Sequence, residues 1–250
     1  MPGITIMAVI TIGLTAALCI AYLNHLTRSD RHYLWLLLPG LLSSLVVNRW
    51  VKTPVVTFIA ARANIPLKIG LDVPVWFILL ILLNSPVFEE AIKLLPIALP
   101  VTRKLINDVS GALWAGLALG MSFGLGEAAF IAYGLVQSPA YNSLPWYMFT
   151  GYLVERMIVT FAHGFMTAIA AYGFYKGGRH ALIGYLSAVG LHALINLGPI
   201  LLALKLKPEA VYGIMSYAVI LAAFFVFQKT ERSAKKESGD DTGEVVYFER

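Results

Sequence analysis

The chain is short of cysteine and short of charge. One cysteine, Cys19, stands in 250 residues, which excludes an intramolecular disulfide and any metal cluster built on cysteines. Only 13% of the residues are charged while 58% are hydrophobic, so no soluble domain is expected and the composition is that of a polytopic membrane protein. No HExxH stretch occurs, so the familiar helix-borne zinc motif is absent. The formal charge of +5 suggests no nucleic-acid partner, because the Lys and Arg residues sit mostly in short connections between apolar runs, where topology explains them.

Windows of about 20 apolar residues suffice to cross a hydrocarbon core of ~30 Å. They fall at 4–24, 33–51, 73–100, 109–136, 146–175, 181–203 and 209–228. The expected fold is therefore all-α, a single transmembrane helical domain over residues 1–228 with seven spans. The segment 52–72 carries Arg62 and Lys68 among apolar residues; it reads either as an interfacial helix or as part of an eighth, broken span. No basic residue precedes Ile4 and no small-residue cleavage pattern follows near 22–25, so the first run is expected to be an uncleaved helix.

With the N-terminus outside, Arg28, Arg31, Arg103, Lys104, Lys176 and Arg179 fall on the cytoplasmic side, as does the basic C-terminal stretch. Arg49, Lys52, Arg62, Lys68, Lys205 and Lys207 oppose this orientation. After Gln228 the chain turns polar, and residues 229–250 read as a disordered cytoplasmic tail whose basic residues could touch anionic lipid. The expected setting is a cell membrane, crossed several times, with the C-terminus cytoplasmic and the lipid bilayer as the first partner.

Charge inside such spans stands out. A charged side chain at the bilayer centre costs roughly 2.5 to 3.5 kcal/mol on insertion scales, yet the third window holds Glu89, Glu90 and Lys93 after Pro86 and before Pro96. Pro86 cannot donate to the carbonyl of Leu82, so a bend or break one turn before the carboxylates is expected. Lys93 is within a turn of either carboxylate. The trio reads as an acid–base centre or as an internal salt bridge that locks helices together.

The fourth window repeats small residues every fourth position, at Ala112, Gly116, Gly120, Gly124 and Ala128, a strip that lets a neighbouring backbone come close. Glu127 borders that strip, as a further site carboxylate or as a structural hydrogen-bond partner. In the fifth window Arg156, Thr160, His163 and Thr167 share one helical stripe, which must face the bundle interior, with Glu155 placed to neutralise Arg156. The sixth window puts His192 and Asn196 one turn apart ahead of Pro199. Such a pair can orient a water and donate to an oxyanion, or can serve packing alone. Counting ~1.5 Å per residue from the helix starts brings Glu89 and His163 to similar depths with His192 near the midplane, and leaves Glu127 shallower, the doubtful member.

Four segments carry a family resemblance: Glu89-Glu90-Ala91-Ile92-Lys93, the glycine-rich run 120–127, the stretch from Glu155-Arg156 through His163 to Thr167, and His192-Ala193-Leu194-Ile195-Asn196. In this order they resemble the broad superfamily of glutamate-dependent intramembrane proteases that includes the CAAX prenyl endopeptidases and the PrsW and YhfC families. The double Glu followed by Lys is more like PrsW than the CAAX enzymes, which carry an Arg where Leu94 stands and a Phe where Val159 stands. The glycine-rich segment ending in Glu127, and Glu155-Arg156 ahead of His163, are also similar to YhfC, so the resemblance is nearest to a PrsW/YhfC-like branch.

The resemblance implies an intramembrane endopeptidase with its catalytic core at 73–203, acting on a membrane-anchored protein or peptide. Glu89 would activate a water with Glu90 and Lys93 in support, His163 and His192 would position water and carbonyl, and Asn196 would stabilise the oxyanion. Glu127 and Arg156 would support them. Members are described both as metal-independent glutamate proteases and as metalloproteases; Glu89, His163 and His192 could make a three-ligand zinc site, against which Lys93 would compete. An aspartyl mechanism is disfavoured because Asp30, Asp72 and Asp108 lie between spans, and a serine mechanism because the candidate base lacks a nucleophile partner. Two other readings stay open: a proton-coupled transporter relaying protons through these residues, for which no inverted repeat is found, and a noncatalytic scaffold.

Overall fold

The structure, a computed structural model, describes residues 1–27, 31–67, 69–104, 106–206 and 208–239, without the side chains of Arg31 and Glu209. Arg28, Lys68 and Lys207, which entered the orientation argument, and residues 240–250 of the expected tail lie outside the described residues. Among those described, seven helices are long and apolar enough to cross a membrane: α1 (Gly3–Leu26), α2 (His32–Ala63), α3 (Val75–Ala98), α4 (Val109–Gln137), α5 (Trp146–Lys176), α6 (Gly178–Ala203) and α7 (Ala210–Ser238). No strand occurs among them. The all-α polytopic bundle is the expected solution, because a helix satisfies its backbone within one segment where no water is at hand.

The first half of segment 52–72 forms neither a separate helix nor an eighth span. After the α-helical stretch Leu37–Val46 the chain makes a π-helical turn, Val47–Lys52, and continues as helix Thr53–Ala63, so these residues lengthen α2. Asn64, with a left-handed φ of 53°, ends it as a C-terminal cap. α3 is one continuous helix with Pro86 and Pro96 inside it, so the chain does not break ahead of the carboxylates.

α4 is the axis of the bundle. Of its most apolar window 72% is buried, against 67% for α5 and 17% for α7, which puts α4 and α5 at the centre and α7 at the rim. The small-residue strip makes this possible. A Cβ on Gly116 would lie 2.6 Å from the Thr167 carbonyl oxygen, and one on Gly124 2.7 Å from Thr160 Cα, so only glycine lets the two helices approach so closely. Asp108 caps α4 by accepting from the Gly111 N–H at 2.6 Å, filling one of the four orphan donors of its first turn. Between α5 and α6 the chain reverses at Gly177 and Gly178, with φ of 70° and 51°, a conformation that side chains resist.

The expected disordered tail needs correction. α7 continues as helix to Ser238, so 229–238 are ordered. The reason lies in contacts that composition does not show: Lys235 pairs with Glu231 within the helix, Lys176 of α5 pairs with Glu237 at 2.8 Å, and Ser238 bonds to Ser110 of α4 at 2.9 Å.

Candidate active site

Glu89, Glu90 and Lys93 of α3, His163 of α5 and His192 of α6 meet in one buried cluster; none of the five is more than 3% exposed. Glu90 is saturated. Its Oε1 accepts from Lys93 Nζ at 2.7 Å and faces His192 Nδ1 at 2.7 Å, while its Oε2 lies 3.4 Å from the Thr167 hydroxyl. Glu89 is half-satisfied: Oε1 pairs with Lys52, and Oε2 is buried with no hydrogen-bond partner. With Nδ1–H donated to Glu90, the tautomer of His192 that fits its partner leaves a lone pair on Nε2, which lies 3.8 Å from Glu89 Oε2. Two acceptors thus face each other with no donor between them.

His163 is engaged on both ring nitrogens, Nδ1 by Lys93 Nζ at 2.9 Å and Nε2 by Glu127 Oε2 at 3.1 Å. Lys93 also sits 4.3 Å from the centroid of the Phe123 ring, so its charge meets a carboxylate, an imidazole and a π face. Glu127 is brought into the cluster. It takes a second bond, at 3.1 Å, from Arg156 Nη1, and Arg156 in turn is paired with Glu155. Depth counted from helix starts underrated Glu127 because the glycine strip fixes the offset between α4 and α5 independently of where each helix begins. Thr160, His163 and Thr167 are all buried, as the stripe on the fifth window required. Asn196 lies on a cavity wall with His192 and takes no part in the hydrogen bonds of the cluster.

Lys52 is the residue that sequence reading missed as a site member. It sits in the π turn of α2, donates to Asn48 Oδ1 at 2.9 Å and pairs with Glu89. The partner of Glu89 is therefore a lysine 37 residues away in sequence, and Lys93 belongs to Glu90. The only hint in the sequence was Lys52 itself, a charge at the edge of an apolar window.

Two cavities adjoin the cluster. One, of about 390 Å³, lies among α4, α5, α6 and α7, with His163, His192, Asn196, Met166, Ile195 and Tyr217 on its walls. The other, of about 490 Å³, lies among α2, α3 and α4. Glu127 and Ile131 line both. Contributions from α2 and α7 extend the site beyond the expected core at 73–203.

Compared with known proteins, the chain matches the family model described as PrsW family intramembrane metalloprotease over residues 28–227. It belongs to the PrsW family. This match spans four fifths of the chain and includes every residue of the cluster. No curated protein and no solved structure matches. The PrsW family is one of intramembrane proteases, which makes the chain a membrane peptidase with a protein substrate and a multi-pass membrane protein.

The PrsW description includes a metal, and the residues can be tested for one. Glu89, His163 and His192 each bring a ligand atom within 4.8 Å of the others. Glu89 Oε2 is orphaned, His192 Nε2 has a free lone pair, and each histidine carries a carboxylate on its other nitrogen, the usual outer partner of a metal-ligating imidazole. His163 would have to release Lys93 or Glu127 to join. In kind the set fits a three-ligand site with an open position.

Proposed function

We propose that the chain is an intramembrane endopeptidase that hydrolyses a peptide bond of a membrane-associated protein or peptide with a water activated by Glu89. The reading rests on one observation above all: the unpartnered Oε2 of a fully buried carboxylate facing the His192 lone pair at 3.8 Å. A water ~2.8 Å from both atoms donates one hydrogen to each and leaves its oxygen lone pair for the carbonyl carbon of the substrate. As that C–O bond forms, Glu89 takes the water proton. Asn196, on the cavity wall, donates to the oxyanion. When the C–N bond breaks, Glu89 returns the proton to the leaving amine, so each turnover consumes one water and restores the carboxylate.

Glu90, Lys93, Glu127 and Arg156 hold this pair in place. Glu90 fixes the His192 tautomer, and Lys93 with Glu127 pins the His163 ring beside it. If the enzyme is metal-dependent, Glu89, His192 and His163 would hold the ion, which would polarise the carbonyl and acidify water. The wider kinship with the CAAX proteases is part of the same proposal. So are the bilayer of a cell membrane and the cytoplasmic C-terminus.

The test compares new protein N-termini in membranes containing the native chain, Glu89→Gln or His192→Ala at matched levels. Termini present only with the native chain are expected. Identical profiles with folded variants would overturn the proposal.

A further inference from the structure

The cavity among α2, α3 and α4 meets the cluster through Lys52, the partner of Glu89. Asn48, Lys52, Thr57, Asn84 and Ser85 line it, a concentration of polar groups within apolar spans. It lies on the side of the bundle that carries the α2–α3 and α4–α5 connections. Asn84 is 6% exposed and its Oδ1 has no hydrogen-bond partner. An amide oxygen left unpaired within a membrane is costly; at ~30 Å³ per molecule the adjoining space of about 490 Å³ has room for several waters. The Thr57 hydroxyl donates within its own helix, to Thr53 O at 2.8 Å, which leaves its lone pairs for water.

The π turn explains how this space reaches the cluster. Its wider winding sets Asn48 and Lys52 one above the other, and π turns occur often at functional sites. An ammonium has three donors; Lys52 uses one on Asn48 and one on Glu89, which leaves the third for the cavity it lines. The other cavity bears His163, His192 and Asn196, the groups that would meet the scissile carbonyl, beside apolar residues such as Val159, Ile195 and Ile220.

We propose that the α2–α3–α4 cavity is a water-filled vestibule that delivers the hydrolytic water to Glu89 past Lys52, while the α4–α7 cavity takes the peptide. This rests on the proteolytic reading, but the occupancy of the vestibule can be measured without turnover. Cys19 is buried and is the only cysteine, so in a Cys19→Ala background single cysteines can be placed at Thr57 and Ser85, with the lipid-facing Leu83, 46% exposed, as a control at nearly the depth of Ser85.

A permanently charged methanethiosulfonate, added to the full chain in liposomes permeabilised to expose both sides, should label Thr57→Cys and Ser85→Cys at least ~tenfold faster than Leu83→Cys, since only a hydrated thiol ionises readily. Equal rates would show that water does not occupy the cavity and would overturn the proposal whether or not cleavage is ever detected. In the cleavage assay, Ser85→Leu should lower kcat about tenfold with KM unchanged. A rise in KM at unchanged kcat would assign the cavity to the peptide and overturn the proposal too.

Discussion

Lys93 offers the most demanding test of the cluster. It is fully buried, 2.7 Å from Glu90 Oε1, 2.9 Å from His163 Nδ1 and 4.3 Å from the Phe123 centroid. Lys93→Met keeps the chain length and deletes the charge. Glu90 is then left buried with only His192 and Thr167 as partners, and breaking a buried pair from one side costs about 3–5 kcal/mol. For a chain of this size that is a fall in Tm of roughly 6–20 °C. Glu90→Gln alone should cost a similar amount, because it strands the ammonium. The double variant removes both charges, so its loss should fall short of the sum of the singles by at least ~2 kcal/mol. Buried Cys19 reports unfolding through a dye that fluoresces on reaction with a thiol, in one mild detergent. If Lys93→Met loses less than ~1 kcal/mol, or the two singles simply add, the pair does not hold the cluster together as argued.

The glycine strip predicts a contrast within one helix. A Cβ on Gly120 would lie 2.7 Å from the His163 carbonyl carbon, whereas one on Gly134 meets nothing within 4 Å; Gly120→Ala should cost about 1–3 kcal/mol and most of the cleavage, while Gly134→Ala should be neutral or gain up to ~1 kcal/mol, both read by thermal unfolding and peptide cleavage. Glu127→Gln keeps the shape but weakens the hold on His163 Nε2 and Arg156, and should lower kcat about 10- to 100-fold; unchanged kcat would make Glu127 a packing residue.

Much of this site can be read from residue spacing. Arg156, Thr160, His163 and Thr167 fall on one stripe by helical period alone, and the glycines of α4 announce a close backbone contact before its partner is known. What spacing does not carry is the offset between helices. Glu127 was misjudged for that reason, and Lys52 was missed because its pairing with Glu89 depends on a π turn, a local winding that no hydrophobic periodicity signals. The end of α7 was misread on composition: Lys176 and Ser110, which hold it, lie far away in the sequence.

Charge in the cluster is balanced, and this bears on the metal. Two buried carboxylates, Glu89 and Glu90, and the partly buried Glu127 face three cations, Lys52, Lys93 and Arg156; with both histidines neutral the sum is zero. Glu155, with its side chain 40% exposed, has solvent to hold it. A divalent ion on Glu89 and His192 would leave an uncompensated charge among buried groups, which is expensive, unless a cation moves away. Lys93 is enclosed by Glu90, His163 and Phe123. Lys52 is not: its side chain is 16% exposed and lines the polar cavity. At Glu89 the competitor of a metal is therefore Lys52, while Lys93 competes at His163 Nδ1, 2.9 Å away. If the enzyme uses a metal, Lys52→Met should bind zinc more tightly than the native chain, and chelation should abolish cleavage by both. If Glu89 acts alone, the same variant gains no zinc, chelation is without effect, and cleavage falls because Glu89 has lost the ammonium that orients it. Zinc content and cleavage, measured on the same purified samples, separate the two chemistries.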